Sequence, residues 1–190
     1  MATLIAAYMR HRSTDSGRDV LRAAALLVVA LLAPVAVSAE SAPTLEYQVK
    51  ASYIHNLIQF IQWPTDSIDI EFQVCVFGEH RFGDALDALE GNRLDGRPLK
   101  VRYLGDVREA NACHVLYFTE ALAHRTPALL DAASAPGLLT IGETRSFTGQ
   151  GGIVSLIKVG GKVKFEINET AARRAGLTIS AQLLRLAIRR

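Results

Sequence analysis

The chain has 190 residues, 49% of them hydrophobic, with two cysteines and a formal net charge of +2. This length fits one domain with a sizeable core, and no low-complexity tract or internal repeat interrupts it. The small charge gives no indication of nucleic-acid binding, so we expect no nucleic-acid partner.

The first 39 residues have the features of a cleaved secretory signal peptide. Arg18 and Arg22 precede an apolar run at positions 23–33, and small residues at positions 37–39 fit cleavage after Ala39. A membrane anchor is the alternative, but the run is shorter than the about 20 residues of a spanning helix, and Pro34 interrupts it. The sequence therefore predicts a leader over residues 1–39, a mature domain over 40–190 and a protein exported from the cytosol.

Removal of the leader takes away four arginines and two aspartates, which leaves 17 basic and 17 acidic residues. The remaining charge is unevenly spread, because residues 158–190 hold eight Lys or Arg against Glu166 and Glu169. This asymmetry fits an acidic partner or an anionic membrane, whereas the simpler interpretation is a solvated helix face.

Two cysteines remain in the mature chain, Cys75 and Cys113. An even count in an exported chain predicts a disulfide between them. Such a bond would contribute about 4 kcal/mol through the unfolded state. The alternative is a pair of separate buried thiols.

The pattern along the chain predicts an α/β fold in a single domain. Strand-like and helix-like segments alternate until a closing hairpin at Gly160-Gly161, after which Asn168, Gly176 and Ser180 provide cap signals. We expect a mixed sheet of about six strands with helices on both faces. The predicted segments are a helix from Thr44 to Trp63, strands at 70–76, 99–104, 113–118 and 138–141, and helices near 82–89 and from Thr126.

Motifs for catalysis are missing from the sequence. No nucleotide-binding glycine loop, nucleophile elbow or zinc-protease motif occurs, and the mature histidines lack a second ligand at short spacing. We therefore expect no enzyme activity, no metal and no cofactor. Elimination favours a sensor, adaptor or inhibitor.

Two blocks resemble the YfiR family of periplasmic proteins. The first is Tyr47–Pro64, which is similar to the opening helix of that family. The second is the C-terminal block, with agreement at Gly151–Ile153, Phe165–Asn168, Ala175–Leu177 and Ser180–Ala187, and with Gly78 and Gly96–Pro98 in between.

The resemblance implies a negative regulator. YfiR-like proteins bind the periplasmic sensor domain of an inner-membrane diguanylate cyclase and hold it inactive, which limits cyclic-di-GMP and biofilm formation. An OmpA-like outer-membrane lipoprotein sequesters the repressor, and members of the family form homodimers.

The resemblance also implies that redox state regulates the repressor, and this chain departs from the family in that respect. The best-known members carry a second cysteine pair before the last hairpin, where this chain has Glu143–Gln150. Redox control would therefore run through Cys75 and Cys113 alone, which we treat as a hypothesis.

Five residues are predicted to contact the partner. They are Glu166, Arg173 and Arg174 in the C-terminal block and Tyr53 and Leu57 in the first helix. Core or solvent positions remain an alternative for each. A second function from another class is a small-molecule sensor that uses the loop from Phe147 to Gly152.

Overall fold

A computed structural model describes residues 44–64 and 70–188. The chain divides into two units, residues 1–39 and 40–190, and every described residue belongs to the second. The predicted leader lies outside the described residues.

The described residues form four α-helices and nine strands. The helices are α1 Leu45–Ile58, α2 Thr126–Ala132, α3 Glu169–Arg174 and α4 Ala181–Leu186. The strands are β1 Ile61–Gln62, β2 Phe72–Phe77, β3 Arg93–Leu94, β4 Arg97–Leu104, β5 Val115–Phe118, β6 Leu139–Gly142, β7 Val154–Val159, β8 Lys162–Ile167 and β9 Thr178–Ile179.

Seven strands form one mixed sheet in the order β3-β4-β2-β5-β6-β7-β8. The central pairs from β4 to β7 are parallel, and β3 and β8 add antiparallel edges. The predicted mixed α/β sheet is confirmed, with seven strands where about six were expected. A small second sheet pairs β1 with β9 and joins the end of α1 to the C-terminal segment.

Helices cover both faces of the sheet because successive side chains of each strand point to opposite sides. On one face, Ile54 and Leu57 of α1 pack with Phe72 and Val74 of β2. On the other face, Leu129 of α2 packs in a separate cluster that contains Cys75. The alternation in β2 therefore places Cys75 on the face opposite α1.

Two predicted helices differ from the structure. The first ends at Ile58, and the residues before Trp63 form β1 instead. The segment at 82–89 forms turns with one short 3-10 helix at Asp87–Leu89. Phe82 and Leu86 are fully buried there. Their helix-like spacing therefore arises from two buried side chains in a turn and not from a regular helix.

The C-terminal unit, residues 151–188, folds as its turn signals predict. Gly160 and Gly161 have φ values of 57° and 75°, which the tight turn between β7 and β8 requires. The side chain of Asn168 accepts a hydrogen bond from the Ala171 amide at the start of α3. Ser180 caps α4 in the same way by accepting from the Leu183 amide.

Candidate functional site

The exposed arginines of α3 are the most accessible of the predicted partner-binding residues. Asn168 fixes this helix, since it caps α3 and also donates its side-chain amide to the Thr148 carbonyl at 2.9 Å. Arg173 and Arg174 are both exposed. Arg173 forms an ion pair with Glu169 one turn earlier, so of the two guanidinium groups only that of Arg173 has a carboxylate partner among the described residues.

Glu166 is buried, with 3% of its surface exposed. One carboxylate oxygen lies 3.5 Å from the Arg145 guanidinium, and the other accepts a hydrogen bond from the Thr148 hydroxyl at 3.4 Å. The carboxylate therefore holds the 143–150 segment against β8. The sequence-based expectation that Glu166 faces solvent or a partner needs correction, because the folded chain covers it.

The two predicted contacts on α1 also lie against the sheet. Leu57 is 1% exposed and belongs to the core, so it is not available to a partner in the folded chain. Tyr53 is half-buried, with its ring 5.7 Å from that of Phe165. Its hydroxyl donates to the Val163 carbonyl at 3.2 Å. Tyr53 thus joins α1 to β8.

The structure does not bring the five predicted residues together on one surface. Glu166 and Arg173 line one depression of about 410 Å³, beside the end of α4. Arg174 lines a different depression of about 500 Å³, next to α2. Their contact with a partner stays a prediction for the exposed residues Arg173 and Arg174 and for the half-buried Tyr53.

A cluster of charged and phenolic side chains lies at the carboxyl ends of β5 and β6. We call it the Glu143 cluster: Glu143, Lys50, Tyr117, Glu46 and Lys158. Glu143 accepts hydrogen bonds of 2.7 Å from the Lys50 ammonium, the Tyr117 hydroxyl and the Glu120 backbone amide. Its side chain is only 2% exposed and that of Lys50 only 5%.

The ion pairs of the cluster continue outwards from this buried centre. Glu46 lies 2.9 Å from Lys50 and 2.8 Å from Lys158. Two buried charges are costly to remove from water, and they remain stable only when each is paired and hydrogen-bonded. The three donors on Glu143 and the two carboxylates on Lys50 meet that condition, so the cluster fastens α1 to the ends of the parallel strands.

Burial and pairing change the acidity of the groups in the Glu143 cluster. Burial, reinforced by the neighbouring Glu143 carboxylate, raises the pKa of Tyr117 well above its usual value. Burial alone would lower the pKa of Lys50, but its hydrogen bonds to Glu143 and Glu46 outweigh this and raise it. Hydrogen bonds from Lys158 and Lys50 lower the pKa of Glu46.

The sequence analysis did not identify this cluster, because a polar residue such as Lys50 in an amphipathic helix is expected on the solvated face. A signal was available, since Lys50 is four residues before Ile54 and so shares its row on a helix. The sequence analysis named Glu143 only as the first residue of the segment in which this chain lacks the family's second cysteine pair. Its pairing with Lys50, 93 residues away, is visible only in the folded chain.

The predicted disulfide between Cys75 and Cys113 is present, with the two Cα atoms 6.0 Å apart. It joins β2 to the residue two positions before β5, and these two strands are neighbours in the sheet. Cys75 is fully buried and Cys113 is 7% exposed. The bond therefore lies within the core of the α2 side.

Within residues 44–64 and 70–188, no three His, Cys, Asp or Glu side chains come close enough together to hold a metal ion. None of the helices in the same ranges has both the length and the apolar character that a membrane crossing requires.

A family model described as YfiR/HmsC-like matches residues 47–188, which is most of the chain and nearly all of its described part. The chain belongs to the YfiR/HmsC-like family. The family match includes α1 from Tyr47 onwards, the whole seven-stranded sheet and the C-terminal unit, so the resemblance that the two sequence blocks indicated is confirmed.

Similar solved structures include a conserved domain protein from Vibrio cholerae, at 18% identity and a TM-score of 0.47. Another is an ABC domain in complex with L-Trp from Streptococcus pneumonia, at 11% identity and a TM-score of 0.49. The matches cover 74% and 75% of this chain but only 58% and 59% of those chains. Among curated proteins, none matches this sequence.

Proposed function

We propose that this chain is a periplasmic regulatory protein that binds the sensor domain of an inner-membrane diguanylate cyclase and holds the enzyme inactive. The observation that carries the proposal is the YfiR/HmsC-like match over residues 47–188. The buried Cys75–Cys113 disulfide supports an oxidising compartment outside the cytosol.

Binding, rather than catalysis, is supported by how the buried polar groups are used. The most deeply buried carboxylate of the Glu143 cluster has three hydrogen-bond donors, and Lys50 faces two carboxylates. These groups are committed to one another, so they do not offer an unpaired acid or base to a substrate. The C-terminal unit also presents exposed positive charge at Lys162, Lys164, Arg173 and Arg174, where a protein partner can reach it.

A binding and activity experiment tests this function. The mature chain would be titrated against the immobilised periplasmic domain of a membrane diguanylate cyclase from the same organism. The same chain would be added to membrane vesicles that contain the full cyclase, with cyclic-di-GMP production as the readout. We expect saturable binding and lower production, and absence of binding at micromolar concentrations would overturn the proposal.

Two further partners belong to the same proposal. An OmpA-like outer-membrane lipoprotein would sequester the repressor, and the repressor would form a homodimer. Adding the lipoprotein to the inhibited vesicles should restore cyclic-di-GMP production. Sedimentation velocity of the mature chain should show a dimer, and a monomer at all accessible concentrations would contradict that part.

A small-molecule sensor is the second candidate function. The observation that favours it is the depression of about 500 Å³ that Gln150 and Gly151 line together with α2 and α3 residues. Phe147 itself is not available to a ligand, because its ring packs tightly between Gly142 and Gly152. A Cβ atom added at Gly142 would lie 2.3 Å from the ring, and one added at Gly152 would lie 2.1 Å from it. A thermal-shift screen with small metabolites tests this candidate, and Arg174→Ala should reduce any stabilisation found.

A further inference from the structure

The depression of about 500 Å³ next to α2 has a size suited to a small organic molecule, since ligand pockets occupy about 300–1,000 Å³. Its walls come from the end of α2, from β6, from Gln150 and Gly151, and from α3. Apolar side chains form much of the surface, among them Leu130, Leu138 and Ile153. The apolar part of a ligand would lie against them.

Hydrogen bonds between segments hold the walls of this depression in place. The Gly137 amide, between α2 and β6, donates to the Ala175 carbonyl at the end of α3 at 2.7 Å. Asn168 caps α3 and donates to the Thr148 carbonyl, two residues before Gln150. Walls that are already fixed lose little conformational entropy when a ligand binds, so this site is largely formed in advance.

Thr140 supplies a buried hydrogen-bond donor to the same depression. The residue is 8% exposed, and its hydroxyl oxygen accepts a hydrogen bond from the Ile153 amide at 3.1 Å. Among residues 44–64 and 70–188, no group accepts the hydroxyl proton in return. A buried donor without an acceptor is unfavourable. An oxygen atom of a ligand would satisfy it, and the exposed side-chain amide of Gln150 offers further donors.

Two charged residues, Arg174 and Asp131, line the depression. Both are exposed, and neither forms an ion pair with the other or with another described residue. The guanidinium group of Arg174 can therefore pair with an anion, and its planar fork matches a carboxylate. Asp131 would repel a second negative charge, which favours a carboxylate over a phosphate dianion.

We propose that this depression binds a small monocarboxylate with an apolar body. The ligand carboxylate pairs with Arg174, Thr140 and Gln150 supply hydrogen-bond donors, and the apolar body lies against Leu130 and Ile153. This inference rests on the second candidate function, the small-molecule sensor, for the role of the ligand.

Two simple monocarboxylates, benzoate and hexanoate, test the inference on the mature, isotopically labelled chain. Benzamide is the control, because it keeps the shape of benzoate and lacks its charge. We expect saturable changes in the amide chemical shifts of Gln150, Gly151 and Ala175 with a carboxylate and none with benzamide. No saturable change with either carboxylate, or equal changes with benzamide, would overturn the proposal.

Two neighbouring arginines provide a matched pair of variants. A charge-assisted hydrogen bond contributes about 1.5–3 kcal/mol, so Arg174→Gln should weaken carboxylate binding about tenfold or more. Arg173→Gln makes the same change one residue earlier on α3, where the side chain lines a different depression, and it should weaken binding less than twofold. Equal weakening by both variants, or by neither, would contradict the assignment to Arg174.

Further measurements separate this inference from the proposed functions. Carboxylate binding at Arg174 without binding to the cyclase domain would overturn only the repressor function. Thermal stabilisation by neutral or cationic metabolites, with none by carboxylates, would leave the sensor function standing and overturn the carboxylate site.

Discussion

Charged residues have opposite roles in two regions of this sheet, the carboxyl ends of the parallel strands and the antiparallel edge strand β8. At the carboxyl ends of the parallel strands, Lys50 and Glu143 are buried and satisfied by each other. On the antiparallel edge strand, Lys162 and Lys164 are exposed and have no ion pair among the described residues. The first pair fastens the fold, and the second is available for binding. Burial and pairing, not residue type, separate the two roles.

The largest effect on stability is expected from the disulfide, which belongs to the parallel half. Cys75 and Cys113 are 38 residues apart in sequence, and a crosslink over such a loop stabilises a domain by about 4 kcal/mol. Cys75→Ala/Cys113→Ala should lower the free energy of unfolding by about that amount in urea titrations.

Reduction of the wild-type chain tests the redox hypothesis alongside this. Reductant should lower the melting temperature of the wild type and leave the double alanine variant unchanged. If reduction changes neither the melting temperature nor binding to the cyclase domain, redox control through this bond is wrong.

Glu143→Gln should have the next largest effect. Glutamine keeps an acceptor for Tyr117 but removes the charge that faces buried Lys50, and breaking a buried pair costs about 3–5 kcal/mol. Because Lys50 still has an ion pair with Glu46 at 2.9 Å, we expect the free energy of unfolding, measured with urea, to fall by about 3 kcal/mol. Glu79→Gln, on an exposed side chain near the same edge, is the control and should cost under about 0.5 kcal/mol.

Alkaline pH should weaken the fold through the Glu143 cluster. The pKa values of Tyr117 and Lys50 are raised in the folded chain, so their stabilising contribution is present below the ordinary values of 10.0 and 10.5 and is lost as pH rises above them. For each proton that the folded chain still holds and the unfolded chain has lost, the free energy of unfolding falls by about 1.4 kcal/mol per pH unit. Urea unfolding between pH 9 and 11 measures this loss.

Tyr117→Phe provides the comparison for that measurement. The variant should be less stable at pH 8, because Glu143 loses a donor, but its stability should fall less steeply above pH 10. An unchanged slope would mean that the Tyr117 hydroxyl does not titrate with folding.

The smallest effect is expected at the exposed end of the same cluster. Lys158 pairs with Glu46 at 2.8 Å, but its side chain is 57% exposed. Exposed ion pairs contribute about 0–1 kcal/mol, so Lys158→Ala should cost about 0.5 kcal/mol. A loss comparable with that of Glu143→Gln would show that the cluster acts as one unit through its surface residues.

The parts of the fold that depend on local sequence could be predicted from it. Glycines at 160 and 161 fix the hairpin, Asn168 and Ser180 cap the two last helices, and alternation in β2 places Cys75 opposite the α1 side. Each of these features requires only a few neighbouring residues. That is why their positions agree with the structure.

The candidate site was harder to predict because it depends on distant contacts. Glu166 alternates with Phe165 in β8, so local pattern places it towards solvent, but Arg145 and Thr148 from another segment cover it. Lys50 meets Glu143 only because β6 ends beside α1. Sequence periodicity carries no information about which loop closes over a strand.

The pairing of β1 with β9 has a consequence for the order in which this domain can form. Ile61 lies opposite Ile179, and the Ser180 amide donates to the Phe60 carbonyl, while α1 packs on Phe165. The first helix therefore gains part of its support from residues that are synthesised much later than the helix itself. Until those residues have emerged, Ile54 and Leu57 have an incomplete core to enter, so we expect the domain to complete its fold only after the segment that contains β9 has been synthesised.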